Sequence, residues 1–271
     1  AMCQFDSLGA VDHVLLSGLE ADEWYVDSAK AALQAGTMLY AGKYSAPDYE
    51  LLIRKQCCLA IESTMILHTP EVQKKLEELD IPVMIERSSY ETEPMGRAEW
   101  VKLYGVLTGR EAQAEASFAE QEQYVAAVST LANTEKTVAF FSVNANGQVS
   151  VRRGDDYLPR MIEIAGGRYI FPNLTGSSNT ITMGMEDFYA GAKDADYIIY
   201  NATIAEPLTS VAELVAKSPL FADFKAVQEG HVWTTDKSMY QSSNVTGTII
   251  NDIHLMLTGD TDQAVYLKKL N

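Results

Sequence analysis

The chain has 271 residues, which at roughly 100 to 200 residues per domain predicts one large domain or two of ordinary size. Hydrophobic residues make up 47% and charged residues 21%, with 17 Gly and 8 Pro, a globular composition that excludes disordered, collagenous and low-complexity classes. Lys and Arg number 21 against 37 Asp and Glu, and the resulting net charge of −16 repels the phosphates of nucleic acid and anionic lipid.

Short apolar runs of strand type alternate with helical periods along the whole chain, which predicts α/β layers with largely parallel sheets. His13 to Ser17 reads as a strand, Glu23 to Ala35 as a helix stopped by Gly36, and Pro47 to Gln56 as a helix with Pro in its first turn. Cys58 to Glu62 reads as a strand, Pro70 to Leu79 as a helix capped by Thr69, and Val83 to Glu86 as the next strand. From about Pro94 the pattern stays helical as far as Asn133, broken at Thr108-Gly109. Its second piece, Arg110 to Leu131, carries Ala112, Ala116, Ala119, Val125, Val128 and Leu131 at intervals near 3.6 and spans about 33 Å at 1.5 Å per residue.

After this long helix the alternation restarts. Thr137 to Val143 and Val149 to Arg153 read as strands around an Asn146-Gly147 turn, followed by helices at Tyr157 to Ala165 and Met185 to Ala195 and a strand at Tyr197 to Tyr200. Helices at Val211 to Lys217 and Leu220 to Gln228, a strand at His231 to Thr234 and a last helix from about Ser243 to Leu257 complete the reading. The expected organisation is two doubly wound, Rossmann-like lobes, residues 1–109 and 134–271, joined by one spine helix within residues 110–133, with a ligand cleft between them.

No window reaches 18 consecutive apolar residues, so no membrane insertion by this chain itself is expected, and the first residues lack the basic and apolar regions of an export signal. Cys3 and the adjacent pair Cys57-Cys58 fit no CxxC spacing and read as small buried hydrophobes. The sequence has no GxxxxGK[ST], GxGxxG, GxSxG or HExxH, so the common nucleotide, hydride, esterase and metalloprotease chemistries have no motif to stand on. His13, His68, His231 and His254 are scattered; only His68, just after a strand end, is placed to serve a bare Zn or Mn ion. A two-lobed α/β enzyme of another chemistry would share this order of elements, and turnover would distinguish it.

Several segments resemble one family. Gly42-Lys43-Tyr44-Ser45-Ala46-Pro47-Asp48-Tyr49-Glu50, Leu79-Asp80-Ile81-Pro82-Val83, Pro94-Met95-Gly96-Arg97-Ala98-Glu99-Trp100 and Leu107-Thr108-Gly109-Arg110-Glu111-Ala112 are similar, in order and spacing, to stretches of the solute-binding proteins of ABC importers for iron complexes. Arg160 to Gly167 and Phe224 to Trp233 continue the likeness, which runs from about residue 8 to 257. The resemblance implies a two-lobed clamp with a single long interlobe helix. Such a clamp captures a ferric siderophore, or alternatively haem or a corrinoid such as cobalamin, outside the cytoplasmic membrane and delivers it to an ABC transporter permease. It implies no covalent chemistry and no cofactor. The family's first strand, before the segment ending at Ser7-Leu8-Gly9-Ala10, has no counterpart here, so the first lobe is expected to lack one sheet position. An exposed strand slot of that kind invites pairing between chains.

In open α/β lobes ligands sit beyond the carboxyl ends of strands. The chelates that the resemblance implies carry oxyanions that Arg reads bidentately, while Tyr stacks and donates. The candidates are Lys43, Tyr44, Ser45, Glu62, Ser63, Arg87, Ser88, Tyr90 and Arg97 in the first lobe, and Arg153, Tyr157, Asn201 and Tyr240 in the second. Arg152 stands beside Arg153 at a Gly154-Asp155-Asp156 turn. Docking to permease arginines, also implied by the resemblance, falls to Glu71 and Glu206, with Glu213 in reserve.

Overall fold

The computed structural model describes residues 1–131, 133–176, 178–260 and 262–271. It divides into two compact units, the first made of Ala1–Glu91 and Glu99–Phe118, the second of Thr92–Ala98 and Ala119–Asn271.

The first unit opens on α1 (Met2–Ser7), which buries Met2, Cys3 and Phe5. There follow β1 (Leu16–Ser17), α2 (Asp27–Ala35), β2 (Leu39–Tyr40), the short pair β3 (Gly42–Lys43) and β4 (Ala46–Pro47), α3 (Tyr49–Arg54), β5 (Ala60–Ser63), α4 (Pro70–Glu78) and β6 (Val83–Glu86). Among the described residues these strands pair two by two: β1 with β2 in parallel, β3 with β4 antiparallel, β5 with β6 in parallel. Leu52, Ala60, Ile66, Val72, Leu76 and Ile81 form one small core, and Met2, Cys3, Val26, Ala29 and Met38 another. The predicted strand at His13 to Ser17 shrinks to its last two residues because Val11–His13 winds into a 3-10 turn. Thr69 does not cap α4; its hydroxyl donates to the Ile66 carbonyl at 3.3 Å, and Pro70 starts the helix.

Next come α5 (Pro94–Glu99), α6 (Val101–Thr108) and the long α7 (Glu111–Ser129). The buried face of α7 is Ala114, Phe118, Gln121 and Val128, with Val125 partly covered, whereas Ala112, Ala116 and Leu131 of the expected stripe are exposed. Alanines lie on every face of this helix, so its own pattern has little contrast and its neighbours select the face. A Cβ on Gly105 would lie 2.6 Å from the Ala114 Cβ, and one on Gly247 would lie 2.3 Å from the Gln121 carbonyl oxygen. The Gln121 side-chain oxygen also accepts from the Thr248 N–H at 3.1 Å.

The second unit adds β7 (Thr137–Val143), β8 (Val149–Arg152), α8 (Tyr157–Ile164), β9 (Arg168–Tyr169), β10 (Thr180–Met183), α9 (Met185–Ala192) and β11 (Tyr197–Tyr200). It ends with α10 (Val211–Lys217), α11 (Lys225–Gln228), β12 (Val232–Thr235), α12 (Thr246–Thr258) and β13 (Leu267–Lys269). One seven-stranded sheet runs in the order β10-β8-β7-β11-β12-β13, with β9 beside the start of β7. The sheet is mixed rather than largely parallel: β7, β9, β11 and β12 agree in direction, and β8, β10 and β13 do not all follow them, since β7 with β8, β8 with β10 and β12 with β13 pair antiparallel. Val138 and Phe140 face one core with Met161, Ile162, Ile253 and Met256; Ala139 and Phe141 face the other with Phe188, Phe221 and Phe224. A central strand covered on both faces needs such an unbroken apolar run. The predicted helix from Leu220 to Gln228 is two pieces, a 3-10 turn at Pro219–Asp223 and α11, because Phe224 between them is extended at φ −70 and ψ 133.

Candidate ligand-binding site

In the first unit the parallel pair β5 and β6 aims its carboxyl ends the same way, so the segments that follow them share one end of that pair. Glu62 and Ser63 close β5, and the Ser63 hydroxyl accepts from the Met65 N–H at 3.3 Å, opening a 3-10 turn over Thr64–His68. This turn buries Ile66 and leaves Met65, Leu67 and His68 exposed. After β6 the Glu86 carboxylate accepts from the Ser88 N–H at 3.1 Å, so Ser88 is buried while Arg87 stands exposed and Tyr90 is 65% exposed. Lys43, Tyr44 and Ser45 form the β3–β4 hairpin after β2, where Gly42 at φ 82 admits no side chain: a Cβ would meet the Ala46 carbonyl oxygen at 2.4 Å. Lys43 and Arg87 form no ion pair among the described residues. Burial pushes the Glu62 carboxyl up to about 7.

In the second unit Arg97, Arg153 and Tyr157 come together, and a buried carboxylate organises them. Asp156 caps α8, its Oδ1 accepting from the Leu158 N–H at 3.1 Å, and its Oδ2 lies 3.9 Å from the Arg152 guanidinium. Burial raises the Asp156 carboxyl, against the pull of Arg152, the Leu158 N–H, Arg97 and Arg153. The Arg97 guanidinium sits 3.8 Å from the Tyr157 ring centre and that of Arg152 6.0 Å. Arg153 is engaged inside its own loop, pairing with Asp155 and donating to the Gly176 carbonyl at 2.9 Å. Gly154 fixes that loop, because a Cβ there would overlap the Pro172 carbonyl oxygen at 1.9 Å. An open cavity of about 360 Å³ alongside is lined by Thr92, Glu93, Asp155, Asp156, Arg160 and Glu163, with Arg160 ion-paired to Glu93 at 3.6 Å and Glu163 at 3.1 Å. The cations of this face are therefore balanced by carboxylates, unlike Lys43 and Arg87.

Asn201 and Tyr240 lie elsewhere in the same unit. β8 runs against β7, so its end at Arg152 is level with Phe140, towards the start of β7, whereas the Asn201 N–H donates to the Phe141 carbonyl past the carboxyl end of β11. Asn201 is buried, its side-chain oxygen accepting from the Thr203 N–H at 3.1 Å and hydroxyl at 2.6 Å, while Tyr240 is 68% exposed in the 3-10 turn after β12. Glu71 is exposed in the first turn of α4, and Glu206 is exposed in the loop after β11. Glu213 accepts from the Thr209 N–H at 2.7 Å and hydroxyl at 3.0 Å, bonds that hold its carboxyl low and tie it to the start of α10.

His254 is buried with its Nδ1 3.0 Å from the Ala165 carbonyl oxygen, and the His231 Nδ1 lies 3.1 Å from that of Asp196. Among the described residues no three of His, Cys, Asp and Glu stand together as a metal-holding group, and no helix is long and apolar enough to cross a membrane. Sequence reasoning did not anticipate Leu67 or the organising role of Asp156. An aspartate directly before a helix start is a capping signal that could have found the latter.

Among solved structures, the chain is similar to the periplasmic haem-binding protein HutB of Vibrio cholerae, with a TM-score of 0.72 at 16% identity over 92% of this chain and 93% of that one. It is also similar to the petrobactin-binding protein YclQ of Bacillus subtilis, with a TM-score of 0.71 at 17% identity over 94% and 88% of the two chains. These likenesses are of fold. A relative in sequence is the uncharacterized lipoprotein MJ0878 of Methanocaldococcus jannaschii, 24% identical over 243 residues that cover 87% of this chain and 56% of the relative. The chain thus spans little more than half the length of that relative, and 53% of the lipoprotein MJ0872 of the same organism. The family described as periplasmic binding protein matches residues 15–239, and on that match the chain belongs to the periplasmic binding protein family.

Proposed function

We propose that this chain is the solute-binding component of an ABC importer, capturing an anionic metal chelate outside the cytoplasmic membrane and passing it to a permease. A ferric siderophore is the first choice of ligand. The observation that carries this reading is that Lys43 and Arg87 are exposed cations with no ion pair among the described residues of a chain of charge −16, with Tyr90 exposed close to Arg87 in sequence after the carboxyl end of β6. Unpaired guanidinium and ammonium groups with an open aromatic suit catecholate, carboxylate or hydroxamate oxygens. Similarity to haem- and petrobactin-binding proteins supports the same ligand range, and similarity to a lipoprotein supports the extracytoplasmic location. Exposed Met65 and Leu67 favour a second reading in which a flat, apolar macrocycle, haem or a corrinoid, lies on this end of the first unit. Glu71 and Glu206 are the proposed permease contacts.

A thermal-shift screen of the full chain against ferric catecholate, hydroxamate and carboxylate siderophores, haem, cobalamin and free Zn and Mn tests this directly. Binding stabilises by about 2.7 kcal/mol at one hundred times the dissociation constant, so one chelate class raises the melting temperature. A shift with free metal ions alone, abolished by His68→Ala, overturns the chelate reading.

A further inference from the structure

The motif Asn-x-Thr, with x other than proline, is the acceptor sequence for N-linked glycosylation, and it occurs at Asn173-Leu174-Thr175, Asn201-Ala202-Thr203 and Asn244-Val245-Thr246. All of these lie in the second unit, and their surroundings differ. Asn201 is 2% exposed and its side-chain oxygen accepts from the Thr203 hydroxyl at 2.6 Å, so the two side chains that define the motif are spent on each other. The Asn244 side-chain oxygen is buried, and Thr246, also buried, turns its hydroxyl to the Ser243 carbonyl at 2.9 Å at the head of α12. A sugar on either asparagine has no room in the folded chain, whether it is added before folding or after.

Asn173 is presented the opposite way. Asn173 and Thr175 are both exposed, while Leu174 between them is partly buried and packs with Phe171 against the core that holds Phe188. The Leu174 carbonyl accepts from the Gly154 N–H at 2.9 Å, and the Gly176 carbonyl accepts from the Arg153 guanidinium at 2.9 Å. The Leu174 N–H closes a turn on the Phe171 carbonyl at 3.3 Å. The backbone of this motif is thus held from within, and its asparagine and threonine are left open to solvent together.

We propose that Asn173 is an N-glycosylation site, filled from a polyprenyl-phosphate-linked oligosaccharide by a membrane transferase. The proposal rests on the extracytoplasmic placement proposed above, because such a donor is used on the outer side of the membrane. In the transfer, Asn173 Nδ2 forms a bond to C1 of the first sugar as the bond from C1 to the lipid phosphate oxygen breaks. The amide proton passes to a base of the transferase, and the lipid phosphate is the leaving group. Asn173 lies in the longest uncharged stretch of the chain, residues 169–185, and a polar oligosaccharide supplies there the hydration that charged side chains give the rest of the surface.

The test recovers the chain, by cell fraction, from cells that make it naturally and weighs its tryptic peptides by mass spectrometry. The peptide 169–193 holds Asn173, 194–217 holds Asn201 and 238–268 holds Asn244. The expected result is an extracytoplasmic chain whose peptide 169–193 carries an added mass that fragments to sugar ions, while the other two peptides have their unmodified masses. Asn173→Gln and Thr175→Ala are expected to abolish the addition and Thr175→Ser to keep it, with melting curves unchanged, since both positions are exposed. An unmodified peptide 169–193 in an extracytoplasmic chain overturns this proposal and leaves the solute-binding reading standing. Sugar on Asn201 or Asn244 overturns it too, and a chain confined to the cytosol overturns both readings.

Discussion

The first unit pairs its strands two at a time over small separate cores, whereas the second lays seven strands in one sheet with a core on each face. Their cations are a separate matter: among the described residues Lys43 and Arg87 of the first unit stand without ion pairs, whereas Lys74, Lys75 and Lys102 of the same unit, like Arg152, Arg153 and Arg160 of the second, are each matched by a carboxylate. The difference in strand pairing teaches that small separate cores make the first unit the more lightly packed, where local cooperativity is lower and loops adjust at less cost.

The largest test of that contrast is in the cores. Phe188 is fully buried among Phe141, Phe221 and Phe224, and Phe188→Ala is expected to lower stability by about 3–5 kcal/mol in urea denaturation. Leu76→Ala in the first unit is expected to cost about 2–3 kcal/mol. Equal costs would dissolve the contrast.

The second test is pH, where Glu62 of the first unit and Asp196 of the second have opposite signs. Glu62 has a folded value of about 7 against an ordinary 4.5, so its contribution is present at low pH and lost as pH rises through 7. Glu62→Gln is expected to raise stability at pH 8 by about 2 kcal/mol and to change little at pH 4. Burial alone would raise the Asp196 carboxyl, but bonds from Lys225 and from the Thr137 N–H and hydroxyl outweigh it and hold it at about 2 against an ordinary 3.8. Its contribution is present above that ordinary value and lost as pH falls through 2, so Asp196→Asn is expected to destabilise by about 2 kcal/mol at pH 7 and far less at pH 2. Melts across pH for both variants check the two signs together.

The smallest effect sharpens the site. Arg87→Ala is expected to weaken ligand binding about tenfold, or about 1.4 kcal/mol, and Arg153→Ala by less, since Arg153 is already engaged by Asp155 and Gly176. Isothermal titration with the chelate identified by thermal shift measures both.

What the sequence made legible follows from contrast. β7 carries the apolar run Val138 to Phe141, β11 is apolar and aromatic throughout, and α6 stops at Gly109 in the left-handed region, so those elements are readable residue by residue. The buried face of α7 is not, because Gln121 belongs to it and alanines surround it. Nor are β9, β10 and β13, short strands whose identity comes from the neighbour they pair with. Among the candidates, the end of a predicted strand placed Arg87, Ser88 and Tyr90 just after β6, as the structure does, but the burial of Asn201 in its own turn depends on Thr203, and the engagement of Arg153 depends on Gly176, 23 residues away. Side-chain pairing of that kind is a property of loop geometry and has no periodicity to reveal it.

The division of the chain also bears on its synthesis. The second unit draws Thr92–Ala98 from the middle of the first, and its Gly247 rests on the backbone of Gln121. As the polypeptide leaves the ribosome at about 5–20 residues per second, the first unit has all its residues once Phe118 emerges. The strip at 92–98 must then wait until Tyr157 and Arg160 have followed before the partners of Arg97 and Glu93 exist, and during that interval it is open to a chaperone or a protease.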